Sequence, residues 1–210
     1  LLPMFSKKLS DKAEQYLNDF GVKVLKNEKV TNVNLSNVET DKRTIKSRNI
    51  IWAAGNTASS LIGKLNTVTD DNGRAIVDPD CSLKDDPDVF VIGDASNHKD
   101  TSNTPLPGIA PVAMQQGKYV GKIIKNKILK MDRKPFKFSD KGMMATVGKY
   151  KAIGKIGNIE VSGFIAWVFW SVIHIVYLIG YRSKLLVIIE WIFSYLFNKK
   201  GTRLIYREEI

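Results

Sequence analysis

The apolar run Val89-Phe90-Val91-Ile92 ends abruptly at Gly93-Asp94, and that pair can do a particular kind of chemistry. Glycine has no side chain to hold a ligand away from the backbone. A carboxylate at the carboxyl end of a parallel strand stands where ligands bind in open α/β sheets, and it can accept hydrogen bonds from the hydroxyls of a ribityl or ribose chain. Alone, a Gly-Asp pair is more often a turn, so its downstream neighbours decide the matter. Pro107-Gly108-Ile109-Ala110-Pro111 delivers the chain into a helix beginning near Val112. The N-terminus of such a helix offers unpaired N–H groups and the positive end of a dipole. It stabilises negative charge developing at the pyrimidine edge of a reduced flavin. Strand, Gly-Asp, loop and helix together describe a cradle for a flavin.

These parts need a scaffold. Residues 10–20 read as an amphipathic helix with Ala13, Tyr16, Leu17 and Phe20 on one face, stopped by Gly21. Residues 22–25 and 29–35 alternate apolar and polar as half-buried strands do. Residues 44–52 close on a short buried strand, Ile50-Ile51-Trp52, running straight into Ala53-Ala54-Gly55. The run 89–92 has the look of a central parallel strand. Residues 112–129 read as a helix, with Val112, Val120, Ile123 and Ile128 apolar and Lys118, Lys122 and Lys125 on the other face. Beyond Arg133, residues 136–159 hold strand-like pieces punctuated by Gly142, Gly148, Gly154 and Gly157. This order predicts an α/β layer rather than an all-helical protein.

Composition narrows the classes. With 44% hydrophobic residues there is enough apolar material for a packed core, which excludes disorder. The single cysteine, Cys81, cannot close an internal disulfide and points to a reducing compartment. Two histidines, His98 and His174, are too few for a His-rich metal site, and with no CxxC or HExxH spacing no metal is expected. An excess of 32 basic over 21 acidic residues gives +11, which suits either nucleic acid or an anionic membrane. No nucleic-acid partner is expected, because nothing shows the aromatic interleaving or motif of such a module.

The membrane is favoured by the C-terminal region. Residues 164–179 carry no formal charge, and residues 185–197 carry only Glu190. Trp167, Trp170 and Tyr177 are mixed with apolar residues, and Arg182, Lys184, Lys199, Lys200, Arg203 and Arg207 lie in the turn or follow. Rings at the headgroup level and cations on anionic lipid are what an interfacial helix needs. Two helices lying in or dipping into one leaflet are therefore expected. A transmembrane hairpin would place Glu190 at a costly depth. An ordinary buried helical pair or dimer interface is the plainer alternative.

The motifs also carry a family resemblance. Trp52-Ala53-Ala54-Gly55, the segment from Val89 to Asp94 and Leu106-Pro107-Gly108-Ile109-Ala110-Pro111-Val112-Ala113-Met114-Gln115-Gln116-Gly117 come in the order seen in type II NADH:quinone oxidoreductases. Asp140-Lys141-Gly142-Met143-Met144-Ala145-Thr146-Val147-Gly148, Ser162-Gly163-Phe164 and Gly180-Tyr181-Arg182 extend the match over nearly the whole chain. The Ala-Ala-Gly and Gly-Asp pieces are common to many two-dinucleotide flavoproteins. The DKGxMATxG block followed by two hydrophobic segments is far more specific. The resemblance implies the C-terminal part of a flavoprotein with two Rossmann-like FAD- and NAD(P)-binding domains. It also implies non-pumping transfer of electrons from NADH through noncovalent FAD to a membrane quinone. On this reading Ala54, Gly55, Gly93 and Asp94 hold the cofactor, Asp94 on the ribityl hydroxyls, with Ala110, Pro111 and Val112 beside the isoalloxazine. Lys141 matches a lysine that approaches the flavin ring, where its cation favours the reduced form. Gln115 and Gln116 match quinone-linked glutamines, although Pro111 stands where another glutamine is often found.

The implied division is residues 1–40 as the tail of an NADH-binding domain, 41–132 as the C-terminal part of an FAD-binding domain, and 133–210 as a C-terminal domain with membrane-binding helices at about 162–198. The implied setting is peripheral, or monotopic, on the cytoplasmic face of the inner (plasma) membrane. Lipid and quinone would be partners there, with pairing of two copies left open. No GxGxxG occurs, and the chain starts on Leu1, so a piece of a longer protein is expected, one that by itself neither binds FAD tightly nor oxidises NADH. The rivals are a sulfide:quinone oxidoreductase, which works through several cysteines, a dithiol-disulfide reductase, and a non-catalytic membrane-interaction module. Two upstream GxGxxG loops mean an enzyme, and none means a module.

Overall fold

A computed structural model of the chain describes residues 1–53, 55, 57–178 and 180–197. The chain divides into two compact units. Leu1–Val33, Glu39–Thr44 and the chain from Lys141 onward make the first, and Asn34–Val38 with Ile45–Asp140 make the second.

In the first unit, α1 (Lys7–Asp19) begins three residues earlier than its apolar spacing predicts. The cause is Ser6, an N-cap in extended conformation whose Oγ accepts from the Leu9 N–H at 3.3 Å. The buried face of α1 carries Leu9, Ala13 and Tyr16, which form one core with Val147 and Ile153. Those last residues belong to an antiparallel sheet of β6 (Met143–Thr146), β7 (Ala152–Ile156) and β8 (Ile159–Ser162), with β7 in the middle. Its registers pair Ala145 with Ile153 and Ile156 with Ile159. The two-residue turn between β7 and β8 uses Gly157 at a φ of 57°, the left-handed geometry that matches the twist of a hairpin. Lys151 caps the arrangement with an ion pair to Asp19 at 2.8 Å. The helices α3 (Gly163–Tyr177) and α4 (Tyr181–Phe197) come after the sheet.

Three short strands, β1 (Val30–Val33), β2 (Asn37–Thr40) and β3 (Thr44–Lys46), pair in that order. The alternation at 22–25 forms no strand. The stretch 50–52, expected as a buried strand, has none of that structure: Ile51 is 90% and Trp52 63% exposed. Hydrophobicity alone does not make a strand where the described residues offer no edge to pair with.

The second unit carries a parallel pair, β4 (Ala75–Ile76) with β5 (Ser96–Asn97), and the helix α2 (Ala110–Lys125). The run 89–92 differs from the expected central parallel strand. It folds back instead: the Leu83 N–H donates to the Val89 carbonyl at 2.8 Å and the Val91 N–H to the Cys81 carbonyl at 3.0 Å. The turn residues Asp85, Asp86 and Pro87 make this local antiparallel return the nearest way to satisfy the backbone. Val91 joins Ile62, Ala75 and Leu83 in one core, while Cys81, Val120 and Phe136 form another beneath α2.

A buried ionic cluster ties this unit together. The Asp80 carboxylate meets Arg133 at 3.2 Å and Lys130 at 2.9 Å, and accepts from the Ser82 hydroxyl at 2.7 Å. Burial opposes its charge, but the Ser82 hydroxyl, Lys130 and Arg133 outweigh it and hold the acid at about 2, below the usual 3.8. A depressed carboxyl adds stability above the unfolded value and loses it as the pH falls through the folded one. The Asp80 contribution should therefore be complete above about pH 4 and fade towards about pH 2. Urea midpoints measured across that window should fall steeply in the native chain, and Asp80→Asn should flatten that part of the slope.

Candidate functional site

The turn at Gly93–Ala95 is a single 3-10 turn set against α2. Gly93 adopts a φ of 65°, and a Cβ added there would stand 3.1 Å from the Ala113 Cβ. Both facts favour glycine, the first by conformation and the second by a close contact. The peptide of Gly93 is held at both ends: its N–H donates to Gln116 Oε1 at 2.7 Å, and its carbonyl accepts from the Ser96 hydroxyl at 2.9 Å. This fixes where the next residue points. Asp94 is exposed, and its carboxylate lies over Gly108, where a Cβ would be 3.3 Å from Oδ1.

Gly108 leads straight into the head of α2. Ile109 is the N-cap in extended conformation, Ala110 is the first helical residue and Pro111 comes next. Proline suits the first turn because its missing N–H would have had no partner inside the helix. Ala110 and Pro111 are exposed and Val112 is buried. The structure thus brings Gly93, Asp94, Ala110, Pro111 and Val112 to one place, a carboxylate beside a helix N-terminus with glycine backbone between them. Hydroxyl donors on a ligand would find the carboxylate, and a ring with developing negative charge would find the positive end of the helix.

The other expected residues fall elsewhere. Gly55 has a φ of 81° with open space around it, and Ala54 lies outside the described residues. Lys141 is exposed and belongs to the first unit. Behind it, Gly142 has a φ of 101°, and a Cβ there would sit 2.1 Å from the Lys155 carbonyl oxygen, so only glycine can succeed Lys141. Gln115 is half-buried and uses both ends of its amide on the Ser139 backbone at 3.0 Å. Gln116 is fully buried and spends its acceptor on Gly93. The motif implies a substrate contact or a packing role for Gln116 and by itself gives no sign of this contact or of those of Ser96 and Ala113. A signal was present, because Val112, Gln116 and Val120 repeat every fourth residue on the buried stripe of α2. Cys81 is equally internal, its thiol pushed up to about 12 by burial and by the charge of Asp80.

A second feature lies in the first unit. Along α3 and α4 large apolar side chains face outward, among them Ile165, Phe169, Val172, Val176, Leu186 and Phe193. Between the helices runs a groove of about 390 Å³ lined by Tyr150, Phe164, Trp167, Ile175, Trp191 and Tyr195. Trp170, His174 and Trp191 lie nearly parallel, 4.9 to 6.1 Å apart. Contiguous exposed apolar surface of this kind marks a membrane or protein interaction site. Among the described residues no helix is long and apolar enough to cross a membrane. The basic residues Lys199, Lys200, Arg203 and Arg207 lie outside the described residues.

Comparison with known proteins agrees with this layout. Residues 1–117 match the pyridine nucleotide-disulphide oxidoreductase family, and residues 141–200 match the NDH2 C-terminal domain. The type II NADH:quinone oxidoreductase Ndh of Mycobacterium tuberculosis is 36% identical over 96% of this chain and 45% of its own length. The chain thus spans about half the length of the curated relatives it matches. The structure of NDH2 from Plasmodium falciparum in complex with NADH superposes with a TM-score of 0.85 at 17% identity, covering 97% of this chain and 57% of that one. An FAD-dependent pyridine nucleotide-disulphide oxidoreductase from Desulfovibrio vulgaris superposes with a TM-score of 0.54 at 25% identity, over 71% of this chain and 38% of that one.

The turn geometry can be tested directly. Gly93→Ala should lower stability by about 1–2 kcal/mol, the usual cost of a left-handed non-glycine residue. A thermal melt reads this, and Gly55→Ala, in open space at a similar φ, separates the conformational part from the contact with Ala113.

Proposed function

The chain belongs to the pyridine nucleotide-disulphide oxidoreductase family, and from that premise we propose that it is the C-terminal part of a type II NADH:quinone oxidoreductase, working with FAD at the edge of a membrane. The observation that carries the reading is the Asp94 carboxylate set beside Gly108 at the head of α2. The residues present fit the ribityl and pyrimidine parts of a flavin: a carboxylate for hydroxyls, a glycine-lined approach, and an exposed helix N-terminus. FAD, when bound, would supply the redox chemistry, accepting hydride from NADH and passing electrons to quinone.

The protein's own share is orientation and electrostatics. Asp94 would accept hydrogen bonds from the ribityl chain, and Gly55 would line the same cofactor. The N-terminus of α2, from Ala110 to Val112, would favour negative charge on the pyrimidine edge. Lys141 would add a cation, with Gly142 fixing the backbone behind it. Of the two glutamines expected near the quinone, Gln115 is half-buried with its amide on the Ser139 backbone, while Gln116 is enclosed. Residues 1–40 are assigned to an NADH-binding domain, 41–132 to an FAD-binding domain and 133–210 to the C-terminal domain.

Attachment is assigned to α3 and α4, lying in one leaflet with their apolar side chains toward lipid. The enzyme would then be peripheral, on the cytoplasmic face where NADH is present, with lipid and quinone as its partners. The same apolar surface also suits pairing of two copies.

Three measurements test the reading. The visible spectrum of the full-length protein in detergent should show a flavin that bleaches with NADH and recovers with a short-chain quinone. Asp94→Ala should weaken FAD retention roughly tenfold to a hundredfold, the scale of lost hydrogen bonds to a charged group. A colourless native protein supplied with FAD would leave only a membrane module. For attachment, the pair Ile165→Glu and Val172→Glu should cut sedimentation with anionic vesicles by about tenfold or more, because each buries a charge in the interface. Unchanged sedimentation would remove α3 from the membrane face.

A further inference from the structure

The side chain of Gln116 has no exposed surface, so it meets no freely diffusing substrate in this structure. Its amide is nevertheless half used. Backbone N–H groups only donate, so the end facing Gly93 at 2.7 Å must be the carbonyl oxygen Oε1. The donor end, Nε2, is buried among the described residues without a hydrogen-bond partner. A residue present for stability alone would be better replaced by an apolar side chain of the same size, since a buried donor without a partner is costly. The acceptor end is where the glutamine matters.

That acceptor joins the two halves of the candidate cofactor site. One half is the turn that presents Asp94, and the other is the N-terminal stretch of α2, from Ala110 to Val112. Gln116 lies on α2 one turn beyond Val112, on the same buried stripe, and side chains on a helix lean toward its N-terminus. Ala113 seats Gly93 from the same helix, and Ser96 holds the Gly93 carbonyl from the other side. Sliding the turn along α2 would break the bond to Gln116 before it disturbed any apolar contact, because a hydrogen bond is directional and packing is not.

We propose that Gln116 is a positioning residue of the flavin site: it sets the register of the Gly93-Asp94 turn on α2, so that the ribityl-binding carboxylate and the ring-facing helix N-terminus keep one separation, and it makes no contact with quinone. This rests on the flavin reading above, and it gives Gln116 a different role from the substrate contact that its sequence motif implies.

The test uses the full-length protein with Gln116→Met and Gln116→Glu. Methionine matches the volume and removes the acceptor, while glutamate keeps an oxygen facing Gly93. Five quantities are read: backbone amide exchange at Gly93, FAD retained per chain after desalting, the thermal midpoint, and kcat and KM for a short-chain quinone. In Gln116→Met the Gly93 amide should exchange at least tenfold faster and FAD retention should fall tenfold or more. Its thermal midpoint should fall only modestly, because one orphan donor, Nε2, is removed as another, the Gly93 N–H, is created. Its kcat should fall with flavin content while the quinone KM stays put. Gln116→Glu should restore the Gly93 protection and most of the flavin. A raised quinone KM with flavin and Gly93 exchange unchanged would overturn the proposal in favour of quinone contact. Faster exchange with flavin retention intact would reduce Gln116 to local packing. A native protein that holds no flavin defeats the underlying reading instead, and exchange at Gly93 then still reports whether the clamp exists.

Discussion

The close approach of α2 to the backbone at Gly93 is the constraint on which the candidate site depends. A helix can come within contact of a turn only where no Cβ intervenes, and here the Ala113 methyl occupies the space a side chain would need. Once that contact is made, the left-handed φ of Gly93 aims the next residue outward, and the carboxylate arrives over Gly108 at the head of the same helix. A negative side chain and the positive end of a helix are then neighbours, an arrangement that tolerates the charge of both. The site is a by-product of how one glycine lets two pieces of backbone meet.

The far end of α2 is held by different physics. Past Lys125 the chain turns through Lys130 and Arg133, which converge on Asp80, while Phe136 packs against Cys81 and Val120 and donates its N–H to the Pro79 carbonyl at 2.7 Å. Arg133 is spread over several acceptors, reaching Asp80, the Pro87 carbonyl and the Ile128 carbonyl. Such a cluster is costly to desolvate, but it is directional, and it determines how the segment after α2 returns beneath the helix. The N-terminal end of α2 is thus left exposed for a ligand, and the charge pairs are made by the segment that follows its C-terminal end.

How much of this was legible in the residues depended on the range of the interactions. Helices with clean apolar spacing were readable, and α2, α3 and α4 lie within a few residues of where periodicity predicts them. Gly93, Asp94 and the Ala110–Val112 stretch come together in the structure, because a turn and a helix start are specified locally by Gly, Pro and the apolar run before them. Strands were less legible, since a strand is a property of its neighbour as well as of itself. Val89 to Ile92 has the composition of a central strand and pairs instead with 81–83, and Ile51 and Trp52 stand exposed with no strand partner among the described residues. The role of Gln116 was hidden for a related reason. A polar residue on a buried helix stripe announces a partner without saying which, and its partner lies 23 residues earlier in the chain.

The first unit is assembled from opposite ends of the chain, and that has a consequence for its birth on the ribosome. The apolar face of α1 needs Val147 and Ile153, and Asp19 meets Lys151 across 132 positions. At ordinary synthesis rates of about 5–20 residues per second, α1 waits on the order of ten seconds or more before β6 and β7 emerge. During that time Leu9, Ala13 and Tyr16 have only near neighbours such as Leu2, Phe5 and Leu17 to cover them, without Val147 and Ile153. A nascent chain in this state leaves part of an apolar helix face uncovered, so the interval between making α1 and making its sheet is when holding chaperones would matter most.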